Sequence, residues 1–160
     1  MEWYGWVRAV HVFAAASWLG EVVTINLIIV PAVLRIEGEA KLAFLSEIFP
    51  RIFKAASWLS ATAVATGVLL LIRLYGSHLE LLVTTPRGTG LLIGLTLGTL
   101  LTAFHFVAEP KLDGMICNAR DARDIVLADR VLTLLRVVPR VGLAVLGSTF
   151  VLMMYAAHGL

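Results

Sequence analysis

The 160-residue chain has a single cysteine, Cys117, no glutamine and two asparagines, Asn26 and Asn118. One thiol excludes a disulfide framework and a thiolate pair for zinc. Scarcity of thermolabile amides is a trend of heat-adapted proteins, and an apolar composition also produces it unaided. No stretch alternates apolar and polar residues with period two over about ten residues between turn signals, which excludes barrel strands. No basic patch is interleaved with aromatics, and the net charge of +2 is mild, so nucleic acid is not an expected partner. The first apolar segment lacks a basic leader and a small-residue cleavage pattern, and it runs for about 30 residues. It is expected to be a retained helix and not a signal peptide.

What the chain has in abundance is apolar surface: 59% hydrophobic residues and a mean hydropathy of +0.90. Windows of about 20 residues, enough to cross a hydrocarbon core of roughly 30 Å, place membrane helices at residues 4–34, 49–74, 88–107 and 131–158. The expected fold is a single all-α domain, a four-helix transmembrane bundle in a lipid bilayer. Of the 13 Lys and Arg, only Arg8, Arg73 and Arg87 lie on the side of the termini and second loop. The rest flank the first and third loops, so the positive-inside bias puts those loops in the cytoplasm and both termini outside the cell membrane. Residues 108–130 form the one substantial extramembrane piece; the 121–129 run within it reads as an interfacial helix or an extension of helix four. A segment at 13–19, Phe-Ala-Ala-Ala-Ser-Trp-Leu, recurs at 53–59 with one change, Lys54. Inverted repeats of this kind are a device of transport folds, although a match this short is cheap in Ala- and Leu-rich sequence.

Each helix can be given one polar face at 100° per residue. Helix one aligns His11, Ala15, Trp18, Val22 and Ile25, with Glu21 at the edge; helix three aligns Gly94, Gly98, Thr102, His105 and Glu109. Helix two offers Arg51, Lys54, Trp58, Thr62 and Arg73, and helix four Arg136, Arg140, Gly147, Met154 and His158. These faces are expected to line the interior. Ionisable groups inside a membrane are expensive, which makes His11 and His105 the leading functional candidates. Two roles are open to each: metal ligand, or interhelical hydrogen-bond donor to Ser or Thr. Glu21 is either protonated and hydrogen-bonded, for instance to Thr24, or part of a proton path.

On the segment boundaries above, His11 lies near the start of its helix and His105 near the end of its own. A rise of about 1.5 Å per residue then puts them near opposite membrane surfaces, as two sites and not one. The inner site joins His105 and Glu109 to Arg51, Lys54, Arg136 and Arg140, cations suited to the propionates of a haem. The outer site joins His11 to Met153, Met154, Tyr155 and His158. Met with His serves an electron-transfer haem or copper(I).

The run His11-Val-Phe-Ala-Ala-Ala-Ser-Trp-Leu-Gly20, followed by Pro31, resembles the opening helix of the copper-resistance D-type membrane domain. The Phe104-His105 pair on helix three is similar to that of the small membrane protoporphyrinogen oxidases, and Phe49-Pro-Arg51 resembles a segment of another four-helix membrane family. The resemblance implies handling of haem b or copper, with His11 and His105 as the positions carried over. Where the protoporphyrinogen oxidases carry a Lys eleven residues before the His, this chain has Gly94, a departure that weighs against porphyrinogen oxidation. The expected function is a membrane-embedded b-type haem protein with one haem or two, transferring electrons with a quinone or small redox protein, as a homodimer. Across both metal readings the candidate ligands are His11, His105, Met154 and His158; the alternatives are a copper(I) transport or handling protein in which His11, Met153, Met154 and His158 form the outer entry site, and a structural membrane protein whose histidines are packing glue.

Overall fold

A computed structural model of the chain describes residues 2–158, with side chains for residues 3–156. Helix α1 runs Glu2–Thr24, continues through a π-helical turn at Ile25–Ile29 and ends with Val30–Val33. Helices α2 (Gly38–Tyr75), α3 (Pro86–Asp121) and α4 (Ile125–His158) complete the bundle, and one helical turn at Leu81–Thr84 bridges α2 to α3. Among the described residues there is no strand. All four helices are long and apolar enough to cross a membrane, the architecture of a multi-pass integral membrane protein. Consecutive helices pack side by side, and α4 closes the ring against α1 through a smaller interface.

Local signals set the helix ends. Gly38 takes a left-handed φ of 59° where α2 begins, a conformation open to glycine at little cost. The Thr85 hydroxyl accepts from Gly88 N at 3.1 Å, with Pro86 as the first residue of α3. At the α3–α4 corner Asp124 N donates back to Ala119 O at 2.8 Å, while the Asp124 carboxylate accepts from Leu127 N at 2.9 Å and caps α4.

Three helices extend well beyond the hydropathy windows at the end holding the α1–α2 and α3–α4 turns. The segments assigned to loops, 38–48 and 108–121, are helical, and residues 125–130 are the first turns of α4. They carry apolar residues three and four apart. Leu42, Leu45 and Phe49, Leu112, Ile116 and Ala119, and Ala128, Val131, Leu132 and Leu135 meet Ile25, Val30 and Val33 in one core. Window hydropathy dilutes such stripes with the charges between them. Lys41, itself buried, bridges the starts of α2 and α4 by donating to Asp129 at 2.8 Å. A smaller core of Trp18, Val22 and Leu146 lies further along the bundle. Each long helix carries a proline on the half nearer the two turns: Pro31, Pro50, Pro110 and Pro139.

Two of the four expected interior faces are interior. On α1, Ala14, Trp18, Val22 and Ile25 are buried, and on α3 Gly94, Gly98 and Glu109 are. The faces drawn on α2 and α4 are corrected. Trp58 is 68% exposed, and Arg51, Arg73, Arg136, Arg140 and Met154 are exposed as well. The inward residues of α2 are instead Ala56, Ser60 and Ala63, small enough for close helix approach, whereas the long cations reach outward. The two copies of the Ala-Ser-Trp-Leu echo are likewise inequivalent, since Trp18 is 2% exposed.

Close approach also governs the glycines. A Cβ at residue 88 would stand 2.6 Å from Leu82 Cα, and backbone cannot yield cheaply. A Cβ at residue 94 would meet Met153 Cε at 2.6 Å, the free end of a flexible chain. Gly88→Ala is therefore expected to destabilise by about 1–3 kcal/mol in detergent unfolding, and Gly94→Ala by less, because Met153 repacks.

Candidate functional site

Between the two apolar cores lies a polar layer. Glu109, 7% exposed, has both carboxylate oxygens engaged. Ser57 of α2 donates its hydroxyl to Oε2 at 2.5 Å, and His105 Nδ1 pairs with Oε1 at 2.5 Å. The imidazole of His105 lies edge-on to the indole of Trp18, ring centroids 5.6 Å apart. Thus α1, α2 and α3 all contribute. Asn26, in the π-helical turn, donates to Val22 O at 2.8 Å and Pro139 O at 2.9 Å and ties α4 into the same region. π-helical turns in α-helices frequently mark functional sites.

Several buried polar atoms of this layer have no hydrogen-bond partner among the described residues: both carboxylate oxygens of Glu21, Trp18 Nε1 and Thr102 Oγ1. The expected Thr24 bond to Glu21 is not made, because the Thr24 hydroxyl donates to Gly20 O at 2.8 Å. Glu21 is within electrostatic reach of Glu109. In an apolar solvent, orphaned groups of this kind imply water or a ligand that completes them.

His105 is not at a membrane-facing end of its helix. Because α3 continues to Asp121, His105 falls near the middle of that helix, level with Trp18, itself near the middle of α1. Only seven residues separate His11 from Trp18, about 10 Å of helical rise. The expectation of sites near opposite surfaces is corrected accordingly: it rested on ending helix three at residue 107.

His11 faces α2. Its Nδ1 lies 2.9 Å from Ala63 O and 3.2 Å from Thr66 Oγ1, and a Cβ on Gly67 would come within 3.1 Å of its Cε1. A carbonyl oxygen only accepts, so Nδ1 carries the hydrogen; in the neutral ring Nε2 then holds its lone pair. The same reasoning holds for His105 against the Glu109 carboxylate. Neither Nε2 makes a hydrogen bond among the described residues.

The remaining expected site residues are brought together in part. Lys54 lines a cleft of about 440 Å³ between α2 and α3 that also reaches Ser57, Glu109 and Asp113. Arg51 is drawn to Glu47 at 2.6 Å on the surface of its own helix. Arg136 and Arg140 make no ion pair among the described residues. Met153 packs on Gly94 of α3 whereas His11 packs on α2, and Met154 is half exposed. The His158 side chain lies outside the described residues. Among the described residues no three His, Cys, Asp or Glu side chains converge to hold a metal ion.

Ser57, Asn26 and Asp113 were missed in the sequence. Asn26 had a signal, a lone amide in an apolar run. Ser57 and Ser60 were legible as part of the small-residue series on α2. No known protein family, curated protein or solved structure matches the chain.

Proposed function

We propose that the protein is a membrane-embedded b-type haem protein that transfers electrons, in which His105 and His11 would hold the iron. The observation that carries this reading is shared by the two histidines. Each has Nδ1 held, one by a carboxylate and one by a backbone carbonyl, and each leaves Nε2 unbonded. That is the disposition of metal-ligating histidines, whose second nitrogen is fixed by an outer partner that sets tautomer and ring orientation. The donor set fits a haem, which needs one or two imidazoles and no converging cluster of acids. A bound haem iron would supply one-electron redox chemistry, with the protein setting its ligation and burial. Glu109 orients His105, Ser57 fixes Glu109, and Trp18 holds the imidazole edge. Lys54, which lines the cleft beside Glu109, is the cation placed to meet a propionate. The asymmetry of basic residues favours an orientation with both turns of the basic end in the cytoplasm.

Chain expressed in a haem-replete host and purified in detergent should show a Soret band and yield haem b on pyridine extraction. A colourless preparation without extractable haem overturns the reading.

A further inference from the structure

The cleft between α2 and α3 has features that axial ligation does not use. His105 and His11 are not among its lining residues. Its walls are the rings of Phe53, Trp58 and Phe106, and the last two are 68% and 56% exposed on the outer surface of the bundle. In a bilayer a cleft with such rims opens sideways, so an occupant arrives from the lipid phase. Its volume, about 440 Å³, lies within the range of small-molecule sites, roughly 300–1,000 Å³.

The polar groups of the cleft define the occupant further. Glu109 and Asp113 stand one helical turn apart on α3, both in the lining. Asp113 Oδ1 is buried without a hydrogen-bond partner among the described residues, and each Glu109 oxygen, having accepted one bond, retains capacity for another. Carboxylates accept hydrogen bonds and cannot donate them. Lys54, the cation of the lining, bonds to neither carboxylate among the described residues, so the partner that fits is a donor, lipid-soluble, with a flat body to lie against three aromatic rings.

We propose that this cleft binds a lipid-soluble hydroquinone, its ring against Phe53, Trp58 and Phe106 and its hydroxyl groups donating to Glu109 and Asp113. A phenolic hydroxyl satisfies the orphaned acceptor, and the ring gains the offset or edge contacts that aromatic side chains offer. The oxidised quinone carries only acceptors and meets both carboxylates acceptor to acceptor; Lys54 offers it one donor, against two acceptors offered to the hydroquinone. The site therefore discriminates between the two redox forms of one molecule. Binding requires no iron, so the proposal goes beyond the haem reading and can fail separately from it.

Isothermal titration of the detergent-solubilised full chain with duroquinol under anaerobic conditions, and with duroquinone in parallel, tests the proposal. One saturable binding event per chain is expected for duroquinol, with duroquinone at least about tenfold weaker, the equivalent of losing one hydrogen bond to a charged group. Ala61→Phe, which fills the cleft from a wall with no polar contact, should abolish the saturable event. Asp113→Ala should weaken duroquinol without weakening duroquinone, and it guards against misfolding in the first variant. Non-saturable heat indistinguishable from that of Ala61→Phe, or equal affinity for the two forms, overturns the proposal and makes the cleft a crevice for lipid tails. A missing Soret band with intact duroquinol binding would refute the haem reading alone.

Discussion

His105→Ala is expected to lower haem affinity by more than about 100-fold, beyond the 10–100-fold that loss of a mere outer partner typically causes. The Soret band of the purified variant should fall to the level left by His11, or vanish. Added imidazole should restore it, because the cavity left by the side chain accepts a free ligand of the same shape. Rescue separates ligation from packing. Loss of the edge contact with Trp18 alone would cost about 0.5–1.5 kcal/mol, which imidazole in solution would not return as an absorption band. His11→Ala supplies the comparison: a smaller, distinct change in the spectrum is expected. An unaltered spectrum in both variants would dismiss the pair as ligands.

Glu109→Ala should have the second largest effect, and on two readouts. It removes the acceptor of both Ser57 and His105, two bonds across or along helices in the interior. Interhelical bonds in membranes average about 0.6 kcal/mol and reach about 1.7, so a stability loss of roughly 1–3 kcal/mol is expected in detergent unfolding. The loss of the outer partner should also weaken haem binding by about 10–100-fold. Glu109→Gln keeps an acceptor for one of the two donors and should recover most of the stability but only part of the affinity. A variant with lowered stability and unchanged haem content would reduce Glu109 to a structural bridge.

Helix class and number were legible because long apolar runs leave little choice in a bilayer. The depth of His105 was not, since hydropathy windows stop where charges begin, although Leu112, Ile116 and Ala119 continue the stripe of α3 through the charged segment. The interior face was readable on α1 and α3, where small and uncharged groups share it. On α2 and α4 the same periodicity puts arginines on the interior face, whereas they are exposed. A long cation is anchored by its Cα and obeys its guanidinium, which seeks the surface from almost any helix face. The Ser57 contact was hidden for a different reason, because it depends on which residues of two helices meet, and spacing along one helix does not fix the rotation of its neighbour.

The four prolines give the bundle a mechanical character. Each removes one rung from its hydrogen-bond ladder and leaves the carbonyl four residues earlier without its usual donor. With all four on the same half, next to the layer that holds Asn26, Ser57 and Glu109, the helices are softest beside their buried polar groups. A small displacement in that cross-section is therefore levered into tilt of the well-packed block formed by the two turns.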